Sequence, residues 1–422
     1  MEQYDVAVFG AGPAGLCAAI QAARGGARTL LVEKNGIPGG TMTCAGVSIP
    51  GLFDAYGKQV ISGIGWELVG KSLDEAQIPR PDFSRKMTGP FWTYQVEVNP
   101  FLFAAVAEEE MTRAGVQILY HTMVGKASRS GEKWDVVLCG KDGLFEITAK
   151  ILIDCTGDAN LTKIAGYGVR EPAICQPGTA SILLDGVEME RTDRKELAEA
   201  FRTAVAEEKI SSDDLGYCAD PAREGKFLFL ERHGCNANHI CGILAADSVG
   251  KTRMELAGRR SILRAFRFLK GKKGLQNLMP RLIATECGVR ESRTVIGEYT
   301  MTEDDYASGR IFEDALCWSF YPMDLHDAEK GVLLHKLPDK VIPRVPRSIL
   351  IPKDSVDFLV AGRIVSSDRM ANAGLRIQAT CMATGQAAAA NALCALDQKK
   401  SPAEVPPEDI RILLRKYGAI VP

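Results

Sequence analysis

The strongest constraint on this chain lies in its first 34 residues. Tyr4 to Phe9 is a short apolar strand that runs straight into Gly10-Ala11-Gly12-Pro13-Ala14-Gly15. An Ala-, Leu- and Ile-rich helix follows from Ala14 to Arg24, and Gly25-Gly26 ends it. A second apolar strand, Arg28 to Val32, leads to Glu33 and Lys34. This is a βαβ unit of about 30 residues. In that setting Gly10 permits the tight turn, Gly12 lets the backbone approach a pyrophosphate, and Gly15 lets helix and strand pack closely. Pro13 and Ala14 open the helix, whose first N–H groups face the phosphate charge. Glu33 stands where a carboxylate meets ribose hydroxyls, and it disfavours a 2′-phosphate. The unit therefore points to an unphosphorylated dinucleotide, but by itself does not separate FAD from NAD.

The rest of the chain fits an α/β protein: a Rossmann-like cofactor domain with a β-meander, interrupted by a mixed α+β segment. Asn35 to Gly51 is a glycine-rich loop containing Gly39, Gly40 and Thr41. Ala55 to Leu68 reads as helical, and Asn99-Pro100 starts a helix to Ala114. Val116 to Tyr120 is a strand. Residues 121–149 read as a meander with turns at Ser130-Gly131 and Lys141-Asp142-Gly143, and a separate buried strand follows, Ile151 to Asp154. Beyond it the pattern changes: strands at Thr179–Leu184, Lys226–Glu231 and Ser292–Met301 mix with helices at Asp193–Glu208 and Thr252–Lys270. Cofactor-domain character returns with the strand Asp357–Ala361, then Gly362-Arg363, then a long helix within Ala373–Leu396. The expected division is 1–168 for the first part of the cofactor domain, 169–344 for an inserted substrate domain, 345–400 for the return segment, and 401–422 for a C-terminal helix.

Three features favour FAD: the Gly39-Gly40 pair after Glu33, the meander leading into Asp154-Cys155-Thr156-Gly157-Asp158, and the Phe358–Arg363 return with its helix. At these residues the sequence resembles flavoproteins of the glutathione-reductase-type FAD-binding superfamily. Within it, the sequence is most similar to the FAD-dependent oxidoreductase family, related to fumarate reductase flavoproteins and to the FAD subunit of heterodisulfide reductase. Gly288–Arg293, Gly297–Thr300, Tyr321–Asp327, Ile349–Lys353 and Leu375–Ala387 carry the more specific part of that likeness. The resemblance implies that Val124 contacts the adenine side through its backbone. It implies that Thr156, Gly157 and Asp158 pack near the pyrophosphate, with Gly362 and Arg363 continuing around it. It also puts Arg376, Ile377 and Gln378, at the start of a helix, beneath the flavin pyrimidine, where a helix N-terminus favours the negative charge of a reduced ring.

Flavin transfers hydride through N5, so protein groups position substrate and move protons. Arg290, Arg293 and Arg347 are candidates to clamp a carboxylate or carbonyl, and His326 is a candidate acid or base. Each has a plainer reading: Arg290 and Arg293 neighbour Glu291 and Glu298, and His326 lies between acidic residues in a loop. Tyr299 and Tyr321 are further proton donors or stacking groups. Cys44, in the glycine-rich loop, reads as a redox thiol, a flavin tether, or a packing residue. The expected activity is FAD-dependent oxidation or reduction of a small organic substrate, anionic if the arginines bind it. The alternatives are an electron-transfer subunit with a redox partner protein, and a thiazole-synthase-like non-redox dinucleotide binder.

Bulk properties exclude other classes. A net charge of -2 argues against nucleic acid. The twelve cysteines show no Cys-x-x-Cys spacing, which argues for reduced thiols in a cytoplasmic protein and against an iron–sulfur cluster or a zinc ribbon; no metal ligands are expected. No run of about 18 apolar residues is present, so no membrane span is expected. A homo-oligomer is left open.

Overall fold

A computed structural model describes residues 2–85, 88–217 and 227–422. The chain begins with β1 (Glu2–Phe9), α1 (Pro13–Arg24) and β2 (Thr29–Val32). A small hairpin, β3 (Asp54–Ala55) and β4 (Lys58–Gln59), precedes α2 (Ile64–Glu75) and α3 (Pro100–Ala114). Then come β5 (Gln117–Leu119), β6 (Met123–Ser130), β7 (Lys133–Gly140) and β8 (Gly143–Asp154). The middle of the chain holds α4 (Asn160–Ile164), β9 (Val169–Arg170), β10 (Ile182–Asp185), α5 (Arg194–Ala206), α6 (Leu228–Glu231), α7 (Ser248–Leu269), β11 (Met279–Ile283) and β12 (Thr294–Val295). It continues through α8 (Glu303–Ser308), β13 (Ala315–Trp318), β14 (Met323–Asp327), β15 (Gly331–His335) and β16 (Arg344–Pro346). The last elements are β17 (Phe358–Val360), α9 (Arg369–Leu375), α10 (Gln378–Gln398) and α11 (Pro407–Lys416).

Among the described residues the main sheet has seven strands, ordered β5-β2-β1-β8-β7-β6, with β17 also on β8. The pairs β5–β2, β2–β1, β1–β8 and β8–β17 are parallel; β8–β7 and β7–β6 are antiparallel. The expected separate strand at Ile151–Asp154 is the second half of β8. One edge of β8 pairs with β1, while its other edge changes partner from β7 to β17. Meander and parallel core are thereby one sheet. Residues alternate across it as strand geometry requires. Val6, Val8, Ile151 and Ile153 face a core built with α1, α3 and α10; Ala7, Phe9, Leu152 and Phe358 face the opposite core with Trp134. Residues 180–289 gather a further core around Phe201, Phe227 and Ala265, whereas Met301, Tyr306, Leu316 and Met323 join the first.

Several local expectations change. Ala55–Leu68 is not one helix: Gly57 (φ 75°) and Gly63 (φ 87°) turn the chain, and α2 starts at Ile64. Ser292–Met301 contributes only the two-residue β12, paired with β9. At Lys226–Glu231 the expected strand is the helical turn α6; Lys226 lies outside the described residues. The long helix expected within Ala373–Leu396 is α10, which starts at Gln378, close to the helix start that the resemblance implied, and a short helix, α9, precedes it. Asn99 behaves as expected, its side chain accepting from the N–H groups of Phe101 and Leu102.

Three glycines set how closely the central elements approach. A Cβ on Gly10 would lie 2.4 Å from the Cys155 oxygen, one on Gly15 would lie 1.8 Å from the Gly10 oxygen, and one on Gly385 would lie 2.0 Å from the Ala14 oxygen. In each case the obstacle is backbone, which no rotamer change relieves. Gly385→Ala should therefore destabilise the fold by about 1–3 kcal/mol or more, read as a lowered midpoint in denaturant unfolding of the holoprotein. An unchanged midpoint would show that α1 and α10 separate freely.

Candidate FAD and substrate site

A cleft opens where β1, β2, β8 and β17 end. Its wall includes Gly10, Gly12, Pro13, Ala14, Glu33, Lys34, Gly40, Thr41, Thr156, Gly157, Asp158, Gly362, Arg363, Arg376, Ile377 and Gln378. The strand ends bring these distant segments together because the parallel sheet aligns their C-terminal edges.

Each turn is held by specific bonds. Glu33 is buried, and its two oxygens accept from the N–H groups of Ala11 (2.7 Å) and Asn35 (2.8 Å). Burial raises its pKa despite those bonds. The fully buried Asp154 accepts from the backbone and hydroxyl of both Thr156 and Thr162, at 2.7–2.9 Å. That fixes the turn after β8. Gly157, at φ 80°, lies beneath the Arg363 guanidinium, which pairs with Asp158 at 2.7 Å. Gly362 donates its N–H to Thr384 Oγ1 at 3.1 Å.

Lys34 and Lys251 both hold Glu286, at 2.8 and 3.2 Å, tying the end of β2 to the middle segment. Burial works to raise the Glu286 pKa, but the two ammonium groups outweigh it and hold it at about 2.

The residues present fit a flavin dinucleotide. The space in front of Gly12 is open, with no atom within 4 Å of a Cβ placed there. At the N-terminus of α10, Gln378 Nε2 donates to the Val47 oxygen (2.8 Å), while Gln378 Oε1 and Arg376 Nε are buried without partners among the described residues. One acceptor and one donor are thus left for a heteroaromatic ring bearing both kinds of group.

Beyond this region the cleft is lined by Arg232, Arg290, Tyr217, Asn236, His326, Asp324 and Tyr321, with Phe91, Trp92, Val332 and Leu334 also on its wall. Arg290 donates to the Pro177 oxygen (2.7 Å) and Asn236 Oδ1 (3.0 Å), and stands 5.3 Å over the Tyr217 ring. Arg376 donates to the Asp324 backbone oxygen at 2.8 Å. His326 belongs to β14 rather than to a loop and is buried. Its Nδ1 is 2.8 Å from His239 Nε2, and its Nε2 is 3.5 Å from Asp324. Burial, helped by the Arg290 charge, pushes its pKa down to about 4, against the pull of Asp324.

Other sequence candidates lie elsewhere. Arg293 is buried in a pair with Glu171 (2.7 Å) and donates to the Ala246 oxygen. Arg347 donates to the Val405 oxygen and so holds the C-terminal segment. Cys44 is buried, burial raises its thiol pKa, and its backbone oxygen accepts from Thr285 and Glu286. Val124 pairs with Leu138 within the meander, off the cleft wall. Gly15 is packed inside, and Gly39 (φ 108°) donates to the Ala11 oxygen beneath the wall. Tyr321 lines the cleft, but Tyr299 donates to Asp305 away from it. Sequence reasoning missed Arg232, Tyr217, Asn236, Lys251 and Glu286. None lies in a motif, and only the packing of the middle segment against the sheet brings them to the cleft.

The family model described as FAD dependent oxidoreductase matches residues 5–414. The chain belongs to that family. This FAD-dependent oxidoreductase is 32% identical over 197 residues to digeranylgeranylglycerophospholipid reductase 1 of Methanothermobacter thermautotrophicus, covering 44% of this chain and 48% of that one. It is 28% identical over 177 residues to digeranylgeranylglycerophospholipid reductase of Methanocaldococcus jannaschii, covering 40% and 42%. It thus spans less than half the length of these curated relatives. Among solved structures, a geranylgeranyl bacteriochlorophyll reductase-like protein of Thermoplasma acidophilum aligns with a TM-score of 0.45 at 15% identity, covering 99% of this chain and 83% of that one. Among the described residues no helix of the oxidoreductase is long and apolar enough to cross a membrane.

Two outcomes follow. Gly12 has an ordinary φ of -71°, so Gly12→Ala should leave stability within about 0.5 kcal/mol. Its methyl group would enter the open cleft, so the dissociation constant of FAD should rise at least about tenfold, read by quenching of flavin fluorescence on reconstitution. Unaltered FAD affinity would remove Gly12 from the cofactor surface. Glu286 has a folded pKa below its unfolded value of about 4.3, so its stabilisation is full above that pH and is lost as pH falls towards 2. Glu286→Gln should lower the unfolding midpoint at pH 7 and flatten its decline below pH 4.5. Parallel pH profiles for the two proteins would contradict this.

Proposed function

We propose that this FAD-dependent oxidoreductase oxidises or reduces a small organic anion. The observation that carries this reading is the convergence of Arg232, Arg290 and Arg376 on one end of the cleft. Among the described residues none of the three forms an ion pair, and Asp324 is the one carboxylate on that part of the wall. Guanidinium groups in a partly desolvated cleft suit a carboxylate or phosphate, which they bind through paired N–H donors. Bound FAD would supply the hydride chemistry at N5. Gln378, Arg376 and the first turn of α10 would hold its ring, and Gly12, Glu33, Asp158 and Arg363 its dinucleotide part. Arg290 would orient the substrate anion. His326, with Asp324 beside it, is the group placed to hold or accept a proton. In this reading Arg293, Arg347 and Cys44 support the surrounding structure. The strand order and the meander also support kinship with the glutathione-reductase-type flavoproteins.

A second reading follows from the names of the sequence relatives: reduction of a prenylated phospholipid. The apolar side chains on the same wall favour it, Trp92 being 56% exposed and Val332 41% exposed. Stopped-flow flavin spectroscopy with a panel of small carboxylates and prenyl phospholipids separates the two. The first reading expects small carboxylates to perturb or reduce the flavin, and Arg290→Gln to weaken their binding by at least about thirtyfold, in line with 2 kcal/mol or more for a desolvated charge pair. Turnover of prenyl phospholipid alone, unaffected by that substitution, would overturn it.

A further inference from the structure

Behind the substrate end of the cleft, His239 closes a second cluster. Among the described residues, Asp213, His239 and Cys241 bring one ligand atom each to within 4.8 Å of one another. Asp213 comes from the short 3-10 turn Ser212–Asp214, whose capping box with Ser211 fixes its backbone. The His239 N–H donates to the Asp213 oxygen at 3.1 Å, which locks the two segments together. His239 is 3% exposed, and among the described residues its buried Nδ1 has no hydrogen-bond partner. A buried imidazole nitrogen left unpaired is a costly arrangement that calls for an occupant. Its other nitrogen is already committed to His326.

We propose that Asp213, His239 and Cys241 form a site for one borderline-soft divalent cation of the zinc type. Carboxylate oxygen, imidazole nitrogen and thiolate sulfur are the three donor kinds zinc takes. The Cys241 Sγ to Asp213 Oδ2 separation is 3.5 Å. Tetrahedral zinc, with bonds of about 2.3 Å to sulfur and 2.0–2.2 Å to oxygen, holds such a pair about 3.5 Å apart. The cluster opens onto a small pocket lined by Ser211, Ser261, Arg260 and Arg264, which leaves a side for water as fourth ligand. Arg264 is neutralised there by Asp214, both contacts being 2.9 Å. Arg260 donates to the Leu256 oxygen on its own helix. Binding displaces one proton from Cys241 to solvent and any proton held on Asp213; no redox change is involved.

The site would also set a tautomer. With Nδ1 on the cation, His239 must carry its proton on Nε2 and donate to His326 Nδ1. His326 then carries its own proton on Nε2, the atom facing Asp324. Histidine ligands characteristically donate their second nitrogen in this way. The cation would thus reach the substrate cleft through two imidazoles.

The test uses the purified FAD-loaded protein, stripped with chelator and titrated with Zn(II) against a chromophoric competitor. One equivalent should bind with submicromolar affinity. Zinc K-edge absorption of the complex should show one sulfur near 2.3 Å and nitrogen or oxygen near 2.0–2.1 Å. Cys241→Ser and Asp213→Asn should each weaken binding at least tenfold, and His326→Gln by tenfold or more through its hydrogen bond. Cys44→Ser, away from the cluster, should bind Zn(II) as the parent does. Absence of stoichiometric binding tighter than about 10 μM, a sulfur-free zinc shell, or equal affinity in the Cys241→Ser and Cys44→Ser proteins would overturn the assignment. If a variant fails to fold, the absorption spectrum of the parent complex still decides.

Discussion

The architecture depends on a chain of backbone contacts that only glycine allows. The turn after β1 touches the turn after β8 at Gly10, α1 rests on that turn at Gly15, and α10 rests on α1 at Gly385. Each contact brings a carbonyl oxygen to where a side chain would start. At these three points strand, turn and two helices meet backbone to backbone, while apolar side chains such as Val8, Leu16 and Ile153 fill the space around them. This stacking places the N-termini of α1 and α10 at one cleft. Two helix ends directed at one ligand give it positive potential from both sides. The fold therefore prepares an anion site before any charged side chain is considered.

Charged side chains then divide that cleft. At the end near β2, Lys34 and Lys251 are paired with Glu286, and Lys251 also with Glu255, while Glu33 spends two of its lone-pair directions on backbone N–H groups. These groups fix the shape of the wall. At the other end, the arginines bond mainly to carbonyl oxygens and to Asn236, which satisfies donors without cancelling charge. The difference matters because a carbonyl leaves a guanidinium cationic and able to bind an anion.

The legibility of the sequence followed the same division. The cofactor half is built from one local βαβ unit and strand ends, whose glycine spacing and apolar runs record backbone geometry directly. Thus Gly12, Glu33, Gly157, Arg363 and Gln378 could be named in advance and all lie on the cleft. The start of α10 was legible only through the family resemblance, because Arg376-Ile377 has no glycine or proline to mark it, and the short α9 before it went unread. The substrate half is assembled by long-range packing among residues 176–334. No periodicity announces that Arg232 will share a cleft wall with Arg376, or that Asn236 will bond to Arg290. Arg290 and Arg293, three positions apart with similar flanking charge, went to different places: one to the cleft, the other to Glu171. His326 looked solvated because its neighbours are acidic, yet β14 is covered on both faces, so that Leu325 and His326 are both buried.

That burial has an energetic consequence for the whole substrate end. A partly desolvated cation that meets only dipoles lowers stability relative to an apolar residue of similar size. Here three arginines whose hydrogen bonds go to neutral groups converge, with one carboxylate, Asp324, near them and a buried histidine pair behind them. Folding alone does not favour that arrangement, since the adjacent core of residues 180–289 shows that this segment packs apolar side chains readily. The unfavourable interaction of Arg290 with Arg376 is limited by Asp324 and would be offset further by the proposed substrate anion. Stability is thus held back at one end of the cleft, while the glycine stack and the Glu286 ion pairs secure the other. In the proposed reading the rigid end presents the cofactor surface, and the electrostatically unbalanced end discriminates between substrates.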